Sequence, residues 1–177
     1  MPEPEAGPGT RSPVRALPDG VWTPLVTSLL ILAPGLVSLA TGRPVLFPSL
    51  APTALMQAHD PDHPSSRVYN VVVSHLLGLG SAFLVVTLLG IAHEKSVFEV
   101  GHLSGVRLAA AVLAVAIAAA LEMLLRASHP PAAATTLLAA LGSFHPTVRD
   151  TVNVAIGVAV VAVVGEALRR LRARGSG

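Results

Sequence analysis

Four long apolar runs constrain this chain more than any other feature of its sequence. A helix needs about 20 apolar residues to cross the hydrocarbon core of a bilayer, and each run meets that length. Only 12% of the residues are charged, well below the share usual in a soluble domain, and most of them lie outside these runs. The sequence therefore predicts an all-α integral membrane protein with four transmembrane helices. The predicted spans are residues 21–40, 68–92, 104–125 and 148–168.

The composition excludes several other classes of protein. The chain has no cysteine, which rules out disulfides, iron–sulfur clusters and cysteine-ligated zinc. Aromatic residues make up 3% of the chain, too few for a stacking surface that binds nucleic acid. No phosphate-binding loop, nucleophile elbow or HExxH motif is present, so the sequence indicates neither an enzyme nor a cofactor.

Both ends of the chain differ from its apolar middle. Residues 1–20 are rich in proline and glycine and carry mixed charges, which predicts a disordered arm. They lack the features of a cleaved signal peptide, so we expect the first span to act as its own insertion signal. Residues 173–177 form a short polar tail, which leaves one transmembrane domain over residues 21–172.

Two further apolar stretches, residues 47–58 and 130–141, are too short to cross a bilayer as helices. Each begins beside proline, which a first helical turn tolerates, and each has a serine suited to an N-cap, Ser49 and Ser128. Gly142 suits the end of the second stretch. We therefore predict two short re-entrant or buried half-helices. An amphipathic helix lying on the membrane surface is the alternative.

A shift of 82 positions aligns the two halves of the chain, about residues 21–95 and 103–172. The shift places the first span on the third and the second on the fourth, and it also matches polar positions. We interpret this as an internal two-fold repeat of span, half-helix and span. Two full spans per unit predict parallel units related by an axis along the membrane normal, with a binding site at their interface. The matched positions are Pro48 and Pro130, Thr53 and Thr135, Leu55 and Leu137, His63-Pro64 and His145-Pro146, and Arg67 and Arg149.

The distribution of basic residues predicts the orientation of the chain. Four simple spans place both termini on one side of the membrane, together with the connection between the second and third spans. That side would hold Arg11, Arg15, Lys95, Arg107, Arg169, Arg170, Arg172 and Arg174, and the other side Arg43, Arg67, Arg126 and Arg149. The excess predicts cytoplasmic termini. Both half-helices would then enter from the outer side.

The strongest local motif, His129-Pro130-Pro131, opens the second half-helix. Its two prolines fix the direction of the chain as it enters a short helix, whose N–H groups and positive dipole end can bind an anion. His129 beside them can donate a hydrogen bond and change charge near neutral pH. A plain helix cap with a structural histidine is the alternative. The candidate binding residues, with their counterparts in the first half, are His129, Pro130, Pro131, Thr135, Ser49 and Thr53.

His75 lies inside the second span, where a polar residue is either functional or part of a helix–helix hydrogen bond. We include it in the candidate site. Ser74, Gly78 and Ala82 recur every four residues beside it, which predicts a close-packed helix face.

Two carboxylates have a basic residue four positions later, Glu122 with Arg126 and Glu166 with Arg170. Both spacings favour helical salt bridges, although Glu122 could alternatively carry a coupling proton. The loop from His59 to His63 holds metal-capable side chains, but its proline and its exposure argue against a metal site.

A resemblance to a known family rests on three blocks. The run from His129 to Thr135, the segment Phe47-Pro48-Ser49-Leu50-Ala51-Pro52, and the stretch from Asn70 through His75-Leu76-Leu77-Gly78 resemble the recognisable blocks of the HPP family of membrane proteins. The resemblance covers roughly residues 22–168. It implies a four-span membrane protein of the transporter type, and one plastid-type group in the family is linked to nitrite transport.

Together these features predict a membrane transporter or channel for a small solute, with an inorganic anion such as nitrite as the favoured substrate class. Because four spans provide little protein around a transport pathway, we expect a homo-oligomer surrounded by membrane lipid, in the bacterial inner membrane. A non-transporting scaffold or sensor subunit is the second hypothesis, and a membrane enzyme is a distant third.

Overall fold

The computed structural model describes residues 18–174, which form seven α-helices and no strand. The predicted tail and nearly all of the predicted arm fall in residues 1–17 and 175–177, outside the described residues. The helices are α1 (Asp19–Thr41), α2 (Leu50–His59), α3 (Val68–Leu88), α4 (Val97–Val100), α5 (Gly105–Leu124), α6 (Ala132–Ala140) and α7 (Val148–Arg174).

The four predicted spans are confirmed as α1, α3, α5 and α7. All four are long and apolar enough to cross a membrane, and each of their most apolar windows holds two or fewer charged residues. The two predicted half-helices are confirmed as α2, with 10 residues, and α6, with 9 residues. One face of each packs into the bundle, so α2 and α6 are not helices on the membrane surface.

The predicted caps of the half-helices are partly wrong. Ser49 is the N-cap residue of α2, but its side chain makes no capping bond because its hydroxyl is bonded to Thr135. The N-cap of α6 is Pro131, so Ser128 lies too early in the chain to cap it. Gly142 does follow the end of α6, with a φ of 91° that favours glycine.

Contacts between helix ends fix the direction in which each segment runs. Near the end of α7, Arg172 donates to Asp19 at the start of α1 over 2.7 Å. The start of α1 and the end of α7 therefore lie at one end of the bundle, which we call the terminal end; the opposite end is the far end. Arg169 Nη1 lies 3.7 Å from Asp62 Oδ1, so the connection between α2 and α3 is also at the terminal end.

The same reasoning gives the direction of the second half. The Tyr69 hydroxyl, at the start of α3, donates to the carbonyl of Leu125, which places the end of α5 at the terminal end. The backbone N–H of Val97, beyond the end of α3, donates to the carbonyl of Leu141, which places the end of α6 at the far end. The half-helix α6 therefore runs toward the far end, and α2 runs toward the terminal end.

Each half of the chain consequently crosses the bundle three times, and the two halves run in opposite directions. This corrects two expectations: the half-helices do not enter from one side, and the halves are not parallel units about an axis along the membrane normal. The physical reason is length. An extended chain covers about 3.3 Å per residue against about 1.5 Å in a helix, so a half-helix with an extended lead-in completes a pass that its helix alone cannot. Internal duplication itself stays a prediction.

Arg107 ties the far end of the bundle together. The residue lies in the first turn of α5 and is buried. Its guanidinium donates to the carbonyls of Ala140 at 3.1 Å, Ile91 at 3.1 Å and Glu94 at 3.0 Å. These carbonyls follow or end α3 and α6, so the positive charge also offsets the negative ends of both helices.

Small residues let the half-helices approach the long helices closely. Ser74, Gly78 and Ala82 are all buried, which confirms the predicted packing face of α3. A Cβ on Gly78 would collide with the hydroxyl of Thr136 in α6. On α7, a Cβ on Gly157 would collide with the carbonyl of Val45, in the lead-in to α2.

Candidate functional site

Five of the seven predicted site residues meet in one buried cluster at the centre of the bundle. The shortest contacts join Ser49 Oγ to Thr135 Oγ1 and Thr135 Oγ1 to His75 Nδ1, both at 2.6 Å. Thr53 Oγ1 lies 3.0 Å from His75 Nε2 and 3.0 Å from His129 Nε2. None of the five is more than 1% exposed. We call Ser49, Thr53, His75, His129 and Thr135 the central network.

The carbonyl of Ser65 fixes which nitrogen of His129 carries hydrogen. That oxygen lies 2.8 Å from His129 Nδ1 and can only accept, so Nδ1–H is the donor. In a neutral ring, Nε2 is then an acceptor and takes the hydrogen of the Thr53 hydroxyl. With that hydrogen used, His75 Nε2–H must donate to Thr53 Oγ1.

The remaining bonds follow in the same direction. Because His75 Nε2 carries the hydrogen of a neutral ring, His75 Nδ1 accepts from the Thr135 hydroxyl. Thr135 in turn accepts from the Ser49 hydroxyl. One orientation of the hydrogens therefore satisfies the whole network while both rings are neutral.

The N-terminal ends of both half-helices face the central network. Ser49 is the N-cap residue of α2, and Thr135 lies in the first turn of α6. The backbone N–H groups of Ala132 and Ala133 already donate to the carbonyls of His129 and Pro130. Side-chain hydroxyls and imidazoles, together with the positive helix ends, are consequently the groups left to bind a ligand.

The other two predicted site residues contribute no polar group to the network. Pro130 is exposed and lies beside a cavity of about 70 Å³ between α5 and α6. Pro131 is the N-cap of α6. Neither has a backbone N–H, so their contribution is to direct the chain into the half-helix.

Comparison with known protein families gives one match. The model of the HPP transmembrane region matches residues 12–176, nearly the whole chain. The chain belongs to this HPP family. No curated protein and no solved structure matches it. The resemblance seen in the sequence is thus confirmed, and the histidine of the HPP motif lies in the central network of this HPP-family protein.

Glu122 in the HPP-family protein does not form the predicted salt bridge. The helix α5 ends at Leu124, and Arg126 has a φ of 51°, so the two residues are not a helical pair. No ion pair joins them in the described chain. The Glu122 carboxyl instead faces the backbone N–H of His129 and the hydroxyl of Ser74, and it lines cavities of about 70 and 300 Å³.

The predicted pair of Glu166 and Arg170 is confirmed at 2.6 Å, and Arg169 joins it at 2.7 Å. In the loop after α2, the side chains have local roles. His63 Nδ1 accepts from the Ser65 N–H, and Asp62 lies beside Arg169. Across residues 18–174, no three acidic or histidine side chains are grouped to hold a metal ion.

Sequence reasoning missed Ser65, whose carbonyl sets the hydrogen-bond direction of the whole network. Every residue has a backbone carbonyl, so the type of a residue does not indicate that its carbonyl takes part in a site. The only signal nearby was the repeated His63-Pro64 pair, which starts the short 3₁₀ turn Pro64–Ser66 that carries Ser65.

Proposed function

We propose that this HPP-family protein transports a small inorganic anion, such as nitrite, and that the central network binds it. The observation that carries the proposal is the meeting of two oppositely directed half-helices at their N-terminal ends. Their positive ends converge on Ser49 and Thr135, which lie 2.6 Å apart. Hydroxyls and imidazoles surround that point, and none of the five side chains of the network is a carboxylate; the carboxyl of Glu122 lies outside the network, against the backbone N–H of His129.

The network is closed in this structure, so an anion must replace one of its internal bonds. The contact between Ser49 and Thr135 is the natural opening, because it joins the two half-helices directly. Each hydroxyl can rotate and donate to the anion in place of its present acceptor. This differs from binding by free helix N–H groups, the mode expected from the sequence.

We propose cytoplasmic termini and a homo-oligomer in a bacterial inner membrane. Among the described residues, the terminal end carries Arg67, Arg126, Arg169, Arg170 and Arg172, and the far end carries Arg43, Lys95, Arg107 and Arg149. The excess at the terminal end still favours a cytoplasmic location. A homo-oligomer would give a bundle of this size the protein surroundings that a pathway needs.

Anion binding and flux test the proposal together. Purified protein is titrated with nitrite, nitrate, formate and bicarbonate, and the same preparation is tested for flux in proteoliposomes. Thr135→Val keeps the side-chain shape but removes the central hydroxyl. A hydrogen bond to a charged group contributes about 1.5–3 kcal/mol, so affinity should fall roughly tenfold to a hundredfold.

The matched control is Ser81→Ala, which removes a different buried hydroxyl, on α3. Ser81 is buried, and its hydroxyl has no hydrogen-bond partner among the described residues, so its loss should leave affinity unchanged. Binding of an anion without flux would support the sensor hypothesis. Equal affinity of wild type and Thr135→Val would remove the central network from the binding site.

A further inference from the structure

The hydrogen-bond directions in the central network leave Thr53 with a choice of acceptor. Its hydroxyl oxygen lies 3.0 Å from His129 Nε2 and 3.1 Å from the carbonyl oxygen of Ser49. A hydroxyl carries one hydrogen, so it donates to one of them at a time. While His129 is neutral, its Nε2 has no hydrogen of its own and takes the one from Thr53.

A proton added to His129 Nε2 reverses this choice. The new Nε2–H donates to Thr53 Oγ1, and the Thr53 hydroxyl turns to donate to the Ser49 carbonyl. His75 Nε2–H continues to donate to Thr53 Oγ1, which can accept two bonds. Rotation of one hydroxyl therefore accommodates one proton, and no other side chain needs to move.

The resulting imidazolium has no negative partner in the network. The carboxyl of Glu122 on α5 lies outside the network and faces the backbone N–H of His129 and the hydroxyl of Ser74. His63 is exposed and is connected to the site only through the backbone of Ser65. Because a buried charge is costly unless it is paired, a bound monoanion would supply the missing charge.

We propose that the His75–Thr53–His129 unit takes up one proton for each monoanion that binds, so that the two cross the membrane as a neutral pair. The proton comes from water on the side to which the site is open, forms the Nε2–H bond, and returns to water when the anion leaves. This coupling rests on the anion-binding function proposed above. Translocation of the pair moves no net charge.

Calorimetry measures the coupling directly. Nitrite is titrated into the intact, detergent-solubilised protein at pH 7 in two buffers of different ionisation enthalpy, which gives the protons taken up per anion. We expect about one proton, and an affinity that weakens about tenfold per pH unit as the pH rises. Thr53→Ser retains the hydroxyl and should still take up about one proton per nitrite. Thr53→Val should take up fewer protons per nitrite and show a flatter pH profile, whatever its nitrite affinity.

The outcomes separate this coupling from the proposed function. Nitrite binding by wild type without proton uptake overturns the coupling and leaves anion binding intact. Failure of nitrite, nitrate, formate and bicarbonate to bind at all overturns the function, and the coupling with it. Proton uptake that persists in Thr53→Val would show that Thr53 is not the switching group. If Thr53→Val does not fold, the proton counts of wild type and Thr53→Ser decide the question.

Discussion

Replacing Gly78 with alanine should separate α3 from α6 beside the central network. The added Cβ would collide with Thr136 Oγ1 and would lie 3.3 Å from the Ala132 carbonyl oxygen. Rotating the threonine can move its hydroxyl, but it cannot relieve the contact with the Ala132 carbonyl, which belongs to the backbone and is closer than an ordinary van der Waals contact. The two helices must therefore move apart at the level of the hydrogen bond between His75 and Thr135.

Gly80 provides the matched control for this substitution. It lies two residues further along the same helix, and a Cβ there meets nothing within 4 Å. Overpacking a tight contact costs roughly 1–3 kcal/mol, whereas alanine in an open helical position is neutral or stabilises by up to about 1 kcal/mol. For a chain of this size, each kcal/mol shifts the melting temperature by roughly 2–4 °C.

Thermal melting of the detergent-solubilised variants should show Gly78→Ala several degrees below wild type and Gly80→Ala at or above it. Adding Thr136→Ala to Gly78→Ala removes the colliding hydroxyl, so the double variant should recover part of the loss. Equal melting of the Gly78→Ala and Gly80→Ala proteins would mean that α3 and α6 do not approach as closely as described. Failure of the double variant to recover stability would show that Thr136 is not the obstacle.

Two further predictions follow from the fold. In this cysteine-free chain, a thiol reagent that cannot cross the membrane should label Asp62→Cys from the side of the C-terminus and His102→Cys from the opposite side. Labelling of Asp62→Cys from the side opposite the C-terminus would restore the simple four-span topology. Arg107→Gln should destabilise the protein by about 2–5 kcal/mol through its lost carbonyl bonds, and equal melting to an exposed Arg149→Gln control would contradict this.

The number and extent of the long helices followed from the sequence because bilayer thickness sets their length. The helices α3 and α5 begin within one residue of their predicted starts. The direction of the half-helices did not follow, because the length test for a span assumes that the whole pass is helical. Extended lead-ins such as the one containing Val45 complete the pass instead, and apolar composition does not distinguish them from a turn.

The candidate site was predictable to the level of residue type. Thr53 and Thr135 stood out as matched positions, and His75 and His129 as imidazoles in an apolar setting. Their hydrogen-bond order was not predictable, because it depends on the carbonyl of Ser65, brought there by tertiary packing. The expected salt bridge of Glu122 failed because α5 ends before Arg126, a boundary that the apolar pattern does not mark.

The division of the central network between the two halves has a consequence for synthesis of the protein. The first half supplies Ser49, Thr53 and His75, and the second half supplies His129 and Thr135. Until the second half leaves the ribosome and enters the membrane, the Ser49 hydroxyl and His75 Nδ1 lack Thr135, and Thr53 keeps only its contacts with His75 and the Ser49 carbonyl. The first half is therefore an unfinished intermediate, and a chain truncated after α3 is expected to be degraded unless the missing half is coexpressed with it.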